Sequence, residues 1–126
     1  MGLTPGLVVE ELGWDEDVDE ELRSQIMDAI DGDLVEESDH GVDVVLVWWR
    51  FEDGDVVDAL VDGLRDLTDT GYIWLLTPKF GQAGHVSQAD VSEGAVTAGL
   101  SLTSTATVSK DWAAHKIVRP KGGSRR

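Results

Sequence analysis

Apolar positions along this chain switch between two periods. Leu7 to Leu12 forms a short apolar-rich run that reads as a strand ending at Gly13. In the next stretch, DEDVDEELRSQIMDAIDG, the residues Val18, Leu22, Ile26 and Ile30 recur four apart, one stripe of a helix whose other faces carry carboxylates. Asp15 is placed to cap that helix and Gly32 to end it. Leu34-Val35 could be a brief strand before the loop EESDHG. Residues 42 to 50, VDVVLVWWR, are too uniformly apolar for a half-wet strand and read as a central strand covered on both faces.

A second helix follows with clear punctuation. Asp55 is its N-cap candidate, Val56, Val57, Leu60, Leu64 and Leu67 its buried stripe, and Gly71 its end. YIWLLTPK, residues 72 to 79, reads as another strand, and FGQAGHVS as a loop leading to a weaker helix around Asp90 to Ala98. Two last strands, about 102 to 109 and 114 to 119, can pair as a hairpin across KDWA. Alternating strands and helices imply an α/β fold: a single small domain over residues 1–119, with a mostly parallel sheet, helices on both faces and an antiparallel C-terminal hairpin.

That architecture says where to look for a site. In open sheets of this kind ligands sit beyond the carboxyl ends of the strands, where the strand order reverses. Three strand ends would then share one edge: Gly13-Trp14-Asp15, Trp49-Arg50-Phe51 and Thr77-Pro78-Lys79. Neighbouring residues of a strand face opposite sides, so Trp48 and Trp49 enter different layers. Trp49 and Arg50, nearest the strand end, are the candidates for a rim, together with Trp14, Asp15, Lys79 and His85. The plainer reading keeps the Trp pair in the core and pairs Arg50 with Glu52 or Asp53.

Charge narrows the partners. Residues 1 to 78 carry 22 acids and three bases, and residues 79 to 126 carry three acids and seven bases, within a net charge of −15. Such a body repels a phosphate backbone, so generic nucleic-acid binding by the folded part is not expected. Residues 120–126, PKGGSRR, read as a disordered basic tail, with docking on an acidic surface as the alternative. The absence of cysteine excludes disulfides and thiolate chemistry. The opening MGLTPGLVVEELG lacks the basic and apolar regions of a signal peptide, and the run VVLVWW is far short of a membrane span, so a cytoplasmic protein is the expectation.

Cofactor signatures are missing. A dinucleotide site needs G-x-G-x-x-G after the first strand, where this chain has VVEELGWDEDVD, and no G-x-x-x-x-G-K-[ST] occurs. His40, His85 and His115 lack zinc-ligand spacing. Asp53-Gly-Asp55 lacks the rest of a calcium loop. The hydroxyl-rich stretch from Ser101 to Ser109 has no G-x-S-x-G. Neither a cofactor nor a metal is expected.

ELGWDEDVDEELR, VDVVLVWWR with DGDVVDALVD, GYIWLLTPK, GHV and TAGLSLTSTATVSKDW together resemble an actinobacterial family filed as a domain of unknown function, number three thousand and fifty-two in its series, over roughly residues 5 to 119. The resemblance implies a small intracellular protein and carries no catalytic residues. More remotely, the order of elements is similar to the Rossmann-like methyltransferase fold with its closing antiparallel strand. Gly13-Trp14-Asp15 departs from that fold's glycine-rich turn, which argues against methyl transfer. The expected function is therefore a non-catalytic module that binds or regulates another protein. The alternative is a remnant enzyme or binder of a small anionic ligand or nucleotide-derived cofactor, received by Arg50 and Lys79.

Overall fold

The computed structural model describes residues 2–37 and 41–120. His40 and the basic end beyond Pro120 lie outside the described residues. Five strands, β1 (Val9–Leu12), β2 (Val42–Trp48), β3 (Leu67–Pro78), β4 (Ser101–Thr107) and β5 (Trp112–Val118), form one sheet in the order β1-β2-β3-β5-β4. β1, β2 and β3 are parallel neighbours, and β5 runs antiparallel to both β3 and β4. The expected hairpin is present, with β5 inserted between β3 and its own hairpin partner.

Three helices cover the two faces: α1 (Glu20–Ile30), α2 (Val56–Leu64) and α3 (Gln88–Thr97). The stripe Leu22, Ile26 and Ile30 of α1 packs with Val9, Val44, Leu46, Trp48, Trp74 and Trp112. On the opposite face Leu60 of α2 and Val91 and Ala95 of α3 pack with Val45, Val47, Trp49, Ile73 and Leu75. Alternate residues of β2 thus enter alternate layers, which is why its sequence is continuously apolar.

Several boundaries differ from the sequence reading. α1 is capped by Asp19, whose side chain accepts the Leu22 N–H, rather than by Asp15. Asp31 closes it in the left-handed conformation (φ 55°), and the Gly32 N–H bonds the Met27 carbonyl. α2 starts at the expected cap, Asp55, but ends at Leu64, so Leu67 and Gly71 belong to β3. Gly71 is there for proximity: a Cβ would sit 2.8 Å from the Asp43 carbonyl oxygen and clash with Leu67. Val35 makes an isolated parallel bridge to Glu10 on the outer side of β1. The chain therefore passes from that outer side to β2 on the inner side, and the strand order reverses at β1.

Candidate functional site at the carboxyl edge of the sheet

The reversal at β1 opens a crevice of about 550 Å³ between the ends of β1 and β2 and the first turns of α2. Leu12, Gly13, Trp14 and Asp15 line it from β1, Val47 to Arg50 from β2, and Asp53, Asp55, Asp58 and Asp62 from the loop and α2. Four of the six expected rim residues, Trp14, Asp15, Trp49 and Arg50, meet here. Lys79 and His85 do not line it. Lys79 is half-buried one strand over, its N–H bonded to the Asp111 carbonyl at 2.9 Å. His85 Nδ1 donates to the Pro78 carbonyl at 3.0 Å, and its ring meets Phe80 edge-on at 5.5 Å.

Arg50 is not an open receptor for an anion. It is 7% exposed and its guanidinium is consumed internally. Nε donates to Asp17 Oδ2 at 2.9 Å and Nη2 to Asp17 Oδ1. Nη1 reaches the Gly13 carbonyl at 2.8 Å, the Trp48 carbonyl at 3.2 Å and Asp53 Oδ2 at 3.3 Å. The carbon of the guanidinium stands 5.3 Å from the centre of the Trp112 ring, a cation–π distance. Burial pulls the Arg50 pKa down, but the hydrogen bonds and charges of Asp17 and Asp53 more than offset it. The same bond to Arg50 holds the Asp17 carboxyl below its usual range. Asp53 was a foreseeable partner, but Asp17 lies 33 residues away and no spacing announces it.

Trp49 is a correction as well. It is 7% exposed, with its side chain in the layer of α2 and α3 rather than on a rim. Trp48 is buried in the other layer, where its indole N–H donates to Glu11 Oε2 at 2.9 Å and its ring meets Trp112 edge-on at 4.9 Å. Glu11 also pairs with Arg23 of α1 at 2.7 Å. A closed layer of rings and ion pairs thus lies directly beneath the strand ends.

Above it the rings are bare. Trp14 is 52% exposed, Phe51 64% and Phe80 88%, and each follows a different parallel strand. The other aromatic side chains, Trp48, Trp49, Tyr72, Trp74 and Trp112, are buried or half-buried. Trp14 Nε1 donates to Glu20 Oε2 at 3.1 Å, which anchors that ring, and the backbone of Phe51 is tied to the loop after β3 by its N–H bond to the Gly84 carbonyl at 3.0 Å. Phe51 and Phe80 were absent from the sequence candidates, because a lone apolar residue in a loop does not reveal whether it is covered.

Two further polar groups are buried away from this edge. His115 bonds Thr77 Oγ1 at 2.9 Å and Thr105 Oγ1 at 3.1 Å, and burial, aided by the charge of His85, pushes its pKa down to about 4. Glu10, 1% exposed, has its pKa raised to about 7 by burial and by the adjacent Asp66 carboxyl. Among the described residues no group of three or more His, Asp or Glu is placed to hold a metal ion. No described helix is long and apolar enough to cross a membrane.

The fold has close counterparts among solved structures. An O-methyltransferase from neocarzinostatin biosynthesis matches with a TM-score of 0.67 at 12% identity, over 91% of this chain and 50% of that one. A SAM dependent methyltransferase from Aquifex aeolicus matches with a TM-score of 0.57 at 15% identity, over 92% and 84% of the two chains. At such identities the likeness shows a shared fold. In sequence, an uncharacterised protein of Mycobacterium tuberculosis is 45% identical over 122 residues, which is 96% of this chain and 77% of that protein. One from Mycobacterium bovis is similar to the same degree. Residues 1–121 match the family described as "Protein of unknown function (DUF3052)", and the chain belongs to that family.

Proposed function

We propose that the protein is a binding module without catalysis of its own, which uses a methyltransferase-like fold to hold another protein on the carboxyl edge of its sheet. The observation that carries this reading is the use of Arg50. The one cation that lines the crevice among the described residues is buried and bonded to Asp17, Asp53 and two carbonyls, tying the end of β1 to the end of β2. S-adenosylmethionine fits these residues poorly. Gly13, at φ 78°, leaves no room beside the Trp48 carbonyl oxygen even for a Cβ, where a cofactor would need open backbone N–H groups. Asp15, Asp53, Asp55, Asp58 and Asp62 repel the cofactor's carboxylate. Three bare aromatic rings at the same edge are what a protein interface uses as anchors.

The crevice volume favours a second reading, a small ligand held between β1 and β2. With Arg50 occupied and five aspartates around the opening, that ligand would be a cation rather than an anion. Parallel pull-downs from native extract, using wild type and a Trp14→Ala/Phe51→Ala/Phe80→Ala variant, test the first reading. A protein captured by wild type and lost with the variant supports it. Thermal stabilisation by S-adenosylmethionine or S-adenosylhomocysteine, with no difference between the two captures, overturns it.

A further inference from the structure

We infer that the partner segment taken by this edge is a basic peptide, rich in arginine or lysine, that lays its cationic side chains on Trp14, Phe51 and Phe80 and sends one of them into the crevice between β1 and β2. The inference rests on the protein-binding reading above and supplies the chemistry of the partner.

Two independent features converge. The first is the set of bare rings on three adjacent strand-end loops, exposed by 52%, 64% and 88%. Aromatic faces attract guanidinium and ammonium groups most strongly where water is partly excluded, and the Trp14 ring is anchored by its bond to Glu20 and the Phe80 ring meets His85 edge-on. The second is the charge around them. Asp15, Glu16 and Asp17 follow β1, Glu52, Asp53 and Asp55 follow β2, and Asp58 and Asp62 face the crevice from α2. Among the described residues the only cation lining the crevice, Arg50, is already neutralised by Asp17 and Asp53. An edge that is both aromatic and anionic fits a cationic, partly apolar segment and repels nucleic acid and acidic peptides.

The chain's own basic end is a poor occupant. Arg119 donates to the Thr68 carbonyl at 2.5 Å, at the start of β3 and therefore at the opposite edge of the sheet. The length of β3 separates that edge from the rings by roughly 35 Å, so the proposed occupant is a segment of another molecule.

A fluorescein-labelled arginine-rich nonapeptide, titrated by fluorescence anisotropy in low salt, tests this. Net charge alone would attract such a peptide, so the variants must separate rim from charge. Trp14→Ala/Phe51→Ala/Phe80→Ala keeps every charge and is expected to weaken binding at least tenfold, while Trp14→Phe retains the affinity. Asp58→Asn/Asp62→Asn at the crevice is expected to weaken it about tenfold, and Asp28→Asn/Asp33→Asn, the same charge change at the far end of α1, less than about twofold. All these side chains are exposed, and circular dichroism with melting curves checks that each variant folds. Equal losses for the two aspartate pairs, an unaffected ring variant, or no binding by wild type each overturn the inference. If the pull-down still loses a partner with the ring variant, the protein-binding reading survives and the partner is not basic.

Discussion

Trp48 and Trp14 stand at the ends of neighbouring strands, yet they belong to two regions with opposite chemistry. Around Trp48 every group is committed: its N–H to Glu11, Glu11 to Arg23, its ring to Trp112, and its carbonyl to Arg50. Around Trp14 the ring is half bare, and the nearby aspartates of α2 face solvent. The lower region ties the ends of β1 and β2 together beneath the crevice, and the upper region presents bare rings above it. Residue type does not reveal such a division. Trp and Arg occur in both roles or in the less obvious one, and only their partners distinguish lock from rim.

The lock is where substitutions should do most damage. Trp48→Ala empties a large buried site and leaves the shielded Glu11 carboxylate short of a donor, so a loss of about 3–5 kcal/mol is expected in urea unfolding. Trp49→Ala, buried in the other layer, should fall in the same range without the hydrogen-bond component, and a negligible loss there would contradict its placement. Arg50→Ala removes the donor shared by Asp17, Asp53 and two carbonyls. Breaking a buried ion pair costs about 3–5 kcal/mol, and the lower end is expected because both aspartates remain exposed enough to rehydrate. Lys79→Ala, whose bonds to Asp111 and Gln82 run through the backbone, should change stability by less than about 0.5 kcal/mol. Comparable losses for Arg50 and Lys79 would erase the distinction between lock and rim.

Away from both regions, Glu10 gives the comparison a pH axis. Its folded pKa of about 7 lies above the ordinary carboxyl value of 4.5, so the folded state binds the proton more tightly. The resulting penalty on the fold is absent below about pH 4.5, grows as pH rises towards 7 and is complete above it. Glu10→Gln should therefore melt close to wild type at pH 5 and above it at pH 8, by an amount on the order of 2 kcal/mol. Melting curves that stay parallel across that range would mean that the Glu10 pKa is not raised in the folded protein.

The rim itself should matter least to stability. Trp14→Ala, Phe51→Ala and Phe80→Ala, singly or together, are expected to shift the melting temperature by only a few degrees, since exposed rings contribute little to the core. A large drop would make them part of the lock.

How much of this was legible depended on whether the deciding contact was local. The stripe of α1 and the unbroken apolar run of β2 follow from periodicity and burial on two faces, and both stand in the structure. The end of α2 was misread because Leu60, Leu64 and Leu67 continue a helical period across a boundary that is set by tertiary packing. Gly71, which looks like a helix terminator, is required by the approach of β2 to β3. Asp15 and Asp19 are equally good caps in sequence, and the burial of Val18 at 7% exposure goes with the later one. At the site, Trp14, Asp15 and Arg50 could be placed at one edge by the strand-end rule. The saturation of Arg50 could not, because its decisive partner comes from the loop after another strand. The exposure of Phe51 and Phe80 could not either, since no pattern marks an apolar loop residue as uncovered.

Hydroxyl-radical footprinting, applied to the free protein and to the complex captured from native extract, tests the division most directly. In the free protein Trp14, Phe51 and Phe80 should be oxidised readily, and Trp48 and Trp49 hardly at all. In the complex, oxidation of the three exposed rings should fall several-fold while the buried pair stays silent. Undiminished oxidation of Trp14, Phe51 and Phe80 in the complex, with protection appearing elsewhere on the surface, would contradict the account.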